Sequence, residues 1–171
     1  MTQEEFIKVL EGEGYSYEIE GNKIVVTGGS PPTSRRTGSP TVFLNDLTSI
    51  PSDVEFRNKG AVILHSLKIL PPRTEFRNED SVFLGSFETL SGGSEFRNGD
   101  DIYLKYVKRI SPGVEFNNGG GVYLESLLTS IPPTSTFGGR GGFHNWDGNI
   151  EGIDSKRLLN KMISIGLFDR R

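Results

Sequence analysis

Residues 62–81 read VILHSLKILPPRTEFRNEDS and residues 82–101 read VFLGSFETLSGGSEFRNGDD. Aligned one above the other, they share their apolar positions, and the pattern extends in both directions. Val42-Phe43-Leu44, Val62-Ile63-Leu64, Val82-Phe83-Leu84, Ile102-Tyr103-Leu104 and Val122-Tyr123-Leu124 recur every 20 residues. Three residues after each triplet come Leu47, Leu67, Phe87, Val107 and Leu127, then Ile50, Leu70, Leu90 and Ile110, then Phe56, Phe76, Phe96 and Phe116. The fifth copy slips by one residue and carries Ile131 and Phe137. In V-x-L the first and third side chains share one face of a short strand, and the middle one points away. Pro and Gly after each apolar cluster turn the chain. A 20-residue unit cannot close a core alone, but stacked units bury one another's apolar positions. The pattern predicts a mainly β fold, a short solenoid of about five 20-residue coils over 42–137. Its spine is the Phe56, Phe76, Phe96 and Phe116 column.

Both ends read as caps. In 1–27, Thr2 and Glu5 form a capping-box start, and Phe6, Ile7 and Leu10 share one helical face up to Gly12 and Gly14. Tyr15–Glu20 and Lys23–Thr27 flank Gly21-Asn22, a hairpin signal. Residues 28–41 read as a linker, and 22–40 as a degenerate zeroth coil with Arg36 at its phenylalanine position and Ile24 aligned to Leu44. The period is expected to stop at Gly138-Gly-Arg-Gly-Gly142, so that 138–171 is a glycine-rich exit and a C-terminal helical cap. In that helix Asp154 is the N-cap, Leu158, Leu159, Met162 and Ile163 form the apolar stripe, and Gly166 is the stop.

Composition narrows the function. The chain has 171 residues, with hydrophobic residues at 34% and glycine at 22 residues. That favours a thin core flanked by turns over a layered α/β domain. With no cysteine, neither disulfides nor thiolate metal sites arise. No apolar run is long enough to span a bilayer, and the start, MTQEEF, is not a signal peptide, which suits a cytoplasmic setting. Residues 42–137 carry 9 basic and 12 acidic side chains, the wrong balance for a nucleic-acid groove. No phosphate loop, nucleophile elbow or H-E-x-x-H motif is present, and repeated glutamates in equivalent coils lack the differing surroundings acid–base catalysis needs. His144-Asn-Trp-Asp147 has no partner histidine nearby, and the single Arg140 of the glycine run is a weak RNA-binding signal. The expectation is a non-enzyme with no metal and no cofactor.

The residues Leu124-Glu-Ser-Leu127, Ile131-Pro132 and Val114-Glu-Phe-Asn-Asn118, with Gly148–Ile153 and Leu158-Leu159-Asn160 of the tail, resemble the leucine-rich-repeat group, especially its irregular bacterial form. The chain also looks like small repeat proteins of bacteriophage and gut-bacterial genomes. Asn58, Asn78, Asn98 and Asn118 match the asparagine column with which such repeats satisfy turn backbone groups. The resemblance implies a leucine-rich-repeat-like recognition scaffold without catalytic residues. It also implies a phage-encoded binder or inhibitor of a host protein.

The outward middle positions, Phe43, Ile63, Phe83, Tyr103 and Tyr123, form the candidate binding stripe. Beside it Asn45, His65, Gly85, Lys105 and Glu125 change from coil to coil, the place where specificity would be written. The alternative for this column is self-stacking that only stabilises the sheet. The expected partner is a protein. The other readings are a carbohydrate- or receptor-binding adhesin, and a self-associating scaffold that pairs through the aromatic face. Glu55, Glu75, Glu95 and Glu115, with Arg57, Arg77 and Arg97, flank the phenylalanine column and face outward on its strand. They are expected to form exposed diagonal ion pairs of at most about 1 kcal/mol each.

Overall fold

The computed structural model describes residues 1–29 and 38–124, together with the backbone of three further strands at Ser30–Thr33, Thr136–Phe137 and Phe143–Asn145. Helix α1 (Gln3–Gly12) opens on the capping box. The Glu5 amide donates to Thr2 Oγ1 at 3.1 Å, and the Thr2 amide donates to the Glu5 carboxylate at 2.8 Å. Phe6 and Leu10, one helical turn apart, bury completely against the first coil. Strands β1 (Tyr17–Glu20) and β2 (Lys23–Val26) form the hairpin, and Gly21 at φ +64° supplies the positive φ of its two-residue turn.

The repeat builds two seven-stranded sheets. One carries the phenylalanine column on β5 (Val54–Phe56), β7 (Glu75–Phe76), β10 (Glu95–Phe96), β13 (Glu115–Phe116) and β15 (Thr136–Phe137). The other carries V-x-L on β4 (Pro40–Phe43), β6 (Val62–Leu64), β8 (Val82–Leu84), β11 (Ile102–Leu104) and β14 (Val122–Leu124), and is extended by β16 (Phe143–Asn145). A short third ladder joins β9 (Thr89–Leu90) to β12 (Arg109–Ile110). Within the coils all pairing is parallel and in register, Phe76 beside Phe96 and Phe83 beside Tyr103. The result is a mainly β solenoid of about four described coils behind a single described helix. Among the described residues the coils consist of strand and turn, with no helix between them.

Stacked residue columns hold the coils together. Phe56, Phe76, Phe96 and Phe116 are buried, their rings stacked nearly parallel at 5.3, 4.9 and 5.1 Å. These spacings match the roughly 4.8 Å between neighbouring strands, so each ring rests on the next. The aliphatic columns of V-x-L, Leu67 to Val107 and Leu70 to Ile110 fill the space between the faces. Asn58, Asn78, Asn98 and Asn118 are buried too; each donates from Nδ2 to carbonyls of its own turn, and the last three also to a carbonyl one coil back, as Asn78 does to Gly60 O at 3.2 Å. Asp53, Arg73, Gly93 and Gly113 occupy one position of the coil, all at φ between 58° and 77°. In the two coils without glycine there, Arg73 clamps Asp53 with two bonds of 2.5 and 2.9 Å.

The two boundaries of the repeat differ from expectation. Residues 22–40 are not a zeroth coil. Ile24 pairs with Val54 and Val26 with Phe56, so β2 extends the phenylalanine sheet and Val26 stands where Arg36 was expected. The chain then crosses to the other sheet as β3 (Ser30–Thr33), which pairs with β4 in antiparallel sense. Burial decides this register: Ile24, Val25 and Val26 are all completely or nearly completely buried, which alignment of Ile24 to Leu44 would not give. At the other end strand pairing continues past Gly138–Gly142, because β16 pairs with β14, His144 beside Tyr123. The one-residue slip of the last copy is present in the backbone, where Phe116 pairs with Phe137. Arg36 and the expected C-terminal helix lie outside the described residues.

Candidate binding face

The strands of the V-x-L sheet bury their first and third residues and leave the middle one part-exposed. Phe43 is the most open, at 43%. Its strand is held by Tyr15, whose hydroxyl donates to Phe43 O and accepts from Phe43 N, both at 3.0 Å. Burial of that hydroxyl is the main cause of the upward shift of the Tyr15 pKa. Beyond Ile63 the rings stack face to face, Phe83 on Tyr103 at 4.7 Å and Tyr103 on Tyr123 at 4.9 Å. The expected self-stacking is therefore present from Phe83 to Tyr123. The ring faces cover one another, while the outer edges remain accessible along a continuous stripe.

The residues beside the stripe are fixed by the stacking of coils. The His65 ring stands edge-on to Phe83, centroids 6.4 Å apart. Its backbone amide donates to Asn45 Oδ1 at 3.0 Å, and Ser86 Oγ donates to its carbonyl. Gly85 is not an open position, as its place in the column had suggested. A Cβ there would lie 3.0 Å from His65 O and 3.3 Å from the His65 ring, so the missing side chain is what lets His65 lie across this coil. Lys105 is exposed, with Nζ 5.5 Å from the centre of the exposed Tyr106 ring. Tyr103 donates to Asp101 Oδ2 at 3.0 Å, and Asp101 Oδ1 accepts from the Gly121 amide at 2.7 Å. Burial in the stack, reinforced by this carboxylate, pushes the Tyr103 pKa up to about 12. Glu125 lies outside the described residues.

The opposite face carries one connected zigzag of charge. Arg57 binds Glu55 at 2.6 Å and Glu20 at 2.9 Å. Arg77 binds Glu75 at 2.9 Å and reaches Glu95 at 3.7 Å, and Arg97 lies between Glu95 at 3.2 Å and Glu115 at 3.4 Å. Diagonal pairs exist at Arg77 and Arg97, each longer than the pair inside the same coil. Glu55 departs from expectation, being only 1% exposed. Lys23 of β2 covers it, bonding to Glu55 at 3.1 Å and also to Glu75. Burial alone would raise the Glu55 pKa, but Arg57 and Lys23 hold it below the usual carboxylate value. No group of three or more His, Asp or Glu residues among the described ones is arranged to hold a metal.

No protein-family model, curated protein or solved structure matches this chain. The site is therefore read from its own geometry. Three contributors to it were not legible beforehand: Tyr15, Asp101 and Lys23. Tyr15 and Lys23 stand in the non-repeating cap, where no period marks them, and Asp101 occupies a column filled by Ala61, Ser81 and Gly121 elsewhere. Among the described residues no helix is long and apolar enough to cross a membrane.

Proposed function

We propose that this chain is a non-catalytic recognition scaffold that holds a partner protein against the outer face of its V-x-L sheet. Phe43, Ile63, Phe83, Tyr103 and Tyr123 supply the apolar contact, and His65, Lys105 and Glu125 supply coil-specific polar contacts. The observation that carries this reading is the stacked column, a rigid apolar ridge whose outer edge stays open. A ridge ordered before binding loses little side-chain entropy when a partner docks, which favours affinity. The same stacking counts against a sugar-binding adhesin. Sugars pack on free ring faces, and those of Tyr103 are covered on both sides. The kinship with leucine-rich repeats, a phage origin, a cytoplasmic setting and inhibition of a host protein by occlusion belong to this proposal as well. The leucine-rich-repeat kinship, the phage origin and the inhibition rest on the resemblance of the repeat alone.

The test is affinity capture from lysate with the parent protein beside the Phe83→Ser/Tyr103→Ser double variant, read by mass spectrometry. A protein held by the parent, lost with the folded double variant and re-bound after purification is the expected result. Capture unchanged by the double substitution refutes the stripe as the binding face. Light scattering that shows the parent self-associating, and the double variant not, would replace the foreign partner with a second copy.

A further inference from the structure

The N-terminal cap presents a second surface, on the far side of the phenylalanine sheet's first strand. Among the described residues, strand β1 is the last strand of that sheet and pairs with β2 alone. In a two-residue hairpin the closing pair, here Glu20 and Lys23, exchanges both backbone bonds. By alternation Glu18 and Val25 do the same, and the Thr27 amide bonded to Ser16 O at 2.9 Å keeps this phase. The amides and carbonyls of Tyr17 and Ile19 consequently point to the open edge. Edges of this kind are templates for another strand unless devices such as lysine, proline, a bulge or like charge block them. Tyr17–Glu20 has no lysine, proline or bulge, and its two glutamates turn away acidic strands but not basic ones.

The side chains of β1 describe what would fit. Tyr17 and Ile19 share the face of their cross-strand partners Val26 and Ile24, both buried in the core. The core face thus runs out at Ile19, which is 54% exposed. Glu18 and Glu20 lie on the other face. The surroundings are acidic as well. Residues 1–27 hold Glu4, Glu5, Glu11, Glu13, Glu18 and Glu20 against Lys8 and Lys23, more negative charge than the whole chain's net −3.

We propose that β1 accepts an extended basic segment of another protein as an added strand, with apolar residues beside Ile19 and lysine or arginine beside Glu18, the Glu20 carboxylate being already held by Arg57 at 2.9 Å. Backbone bonds to Tyr17 and Ile19 would hold the added strand, and charge would select it. A second copy is a poor occupant of this edge, because pairing β1 with itself sets glutamates against glutamates. The surface is separate from the aromatic ridge, so it stands or falls independently of the function proposed above.

The experiment uses the full chain and an end-blocked peptide that alternates lysine and valine, followed by fluorescence anisotropy and amide hydrogen exchange. The expected result is binding that weakens as salt rises and slowed exchange at the Tyr17 and Ile19 amides, with Glu18 and Glu20, already bonded to β2, unchanged. N-methylation of the peptide on its bonding edge should weaken binding about tenfold, the effect of losing one or two backbone bonds. Glu18→Lys, at an exposed site that leaves the fold intact, should weaken it as well. No binding at low salt overturns the proposal. So do equal binding of an N-methylated or glutamate–valine peptide, and protection confined to the V-x-L sheet.

Discussion

Phe96 stands in the middle of the spine, and its replacement by alanine tests the architecture most directly. The ring is completely buried, with Phe76 at 4.9 Å on one side and Phe116 at 5.1 Å on the other. Burying a phenylalanine removes about 150–250 Å² from water, and at about 25 cal/mol per Å² that is worth roughly 4–6 kcal/mol. Alanine keeps a small part of this, while two stacked contacts of about 0.5–1.5 kcal/mol each are lost. A coil cannot collapse into the gap without breaking register with both neighbours, so little relaxation offsets the cavity. The expected loss is about 4–5 kcal/mol, the upper part of the range for such substitutions. In a chain of this size that lowers the melting temperature by roughly 8–20 °C. Phe83→Ala, on the part-exposed ridge, should cost less than half as much. The assay is thermal unfolding followed by circular dichroism on both variants beside the parent. A Phe96→Ala protein melting within about 2 °C of the parent, or below no more than the Phe83→Ala protein, would refute the spine.

Other expectations follow from the buried polar column and the ridge. Asn78→Ala removes an amide that donates to Asp80 O at 2.7 Å, Gly60 O at 3.2 Å and Ser81 O at 3.3 Å, whereas Oδ1 has no hydrogen-bond partner to lose. Urea unfolding should show a loss of about 2–3 kcal/mol for the stranded carbonyls, and a change under about 0.5 kcal/mol would contradict the cross-coil role. Tyr103 is held protonated in the folded state, with its pKa raised from 10.0 to about 12. A raised pKa stabilises the fold below the unfolded value, and that contribution disappears as pH climbs from about 10 through 12. Ultraviolet titration should show that the last-ionising tyrosine is missing in Tyr103→Phe, and stability in this alkaline range should fall less steeply for the variant. Identical titration curves for the two proteins would overturn the assignment.

The repeat was readable because a solenoid writes each contact twice, once in each coil. Any residue whose copy 20 positions on has the same character must meet that copy in space, so the phenylalanine, V-x-L and asparagine columns needed only counting. The helix cap and the hairpin were equally legible, since the Thr2–Glu5 box and Gly21-Asn22 act over a few residues. What failed was extrapolating the period into 22–40, where the rule of like on like does not apply. Strand β2 joined the other sheet at a different register because burying Ile24, Val25 and Val26 outweighed keeping step with Leu44.

Sequence by itself therefore determined the repeated part of this protein: parallel coils in register, a phenylalanine spine, an outward aromatic ridge and two helix-or-hairpin signals before them. Tertiary structure alone decided how the non-repeating residues meet the repeat. It placed Tyr15 on the backbone of Phe43, Lys23 over the buried Glu55, and His65 across the gap left by Gly85. It also left Ile19 exposed and, among the described residues, the outer edge of Tyr17–Glu20 without a strand partner. The physical reason is that periodic contacts join residues at a constant separation along the chain, which can be counted in advance. Contacts between cap and coil join residues at separations such as that of Tyr15 from Phe43 or Lys23 from Glu55. Only packing selects those.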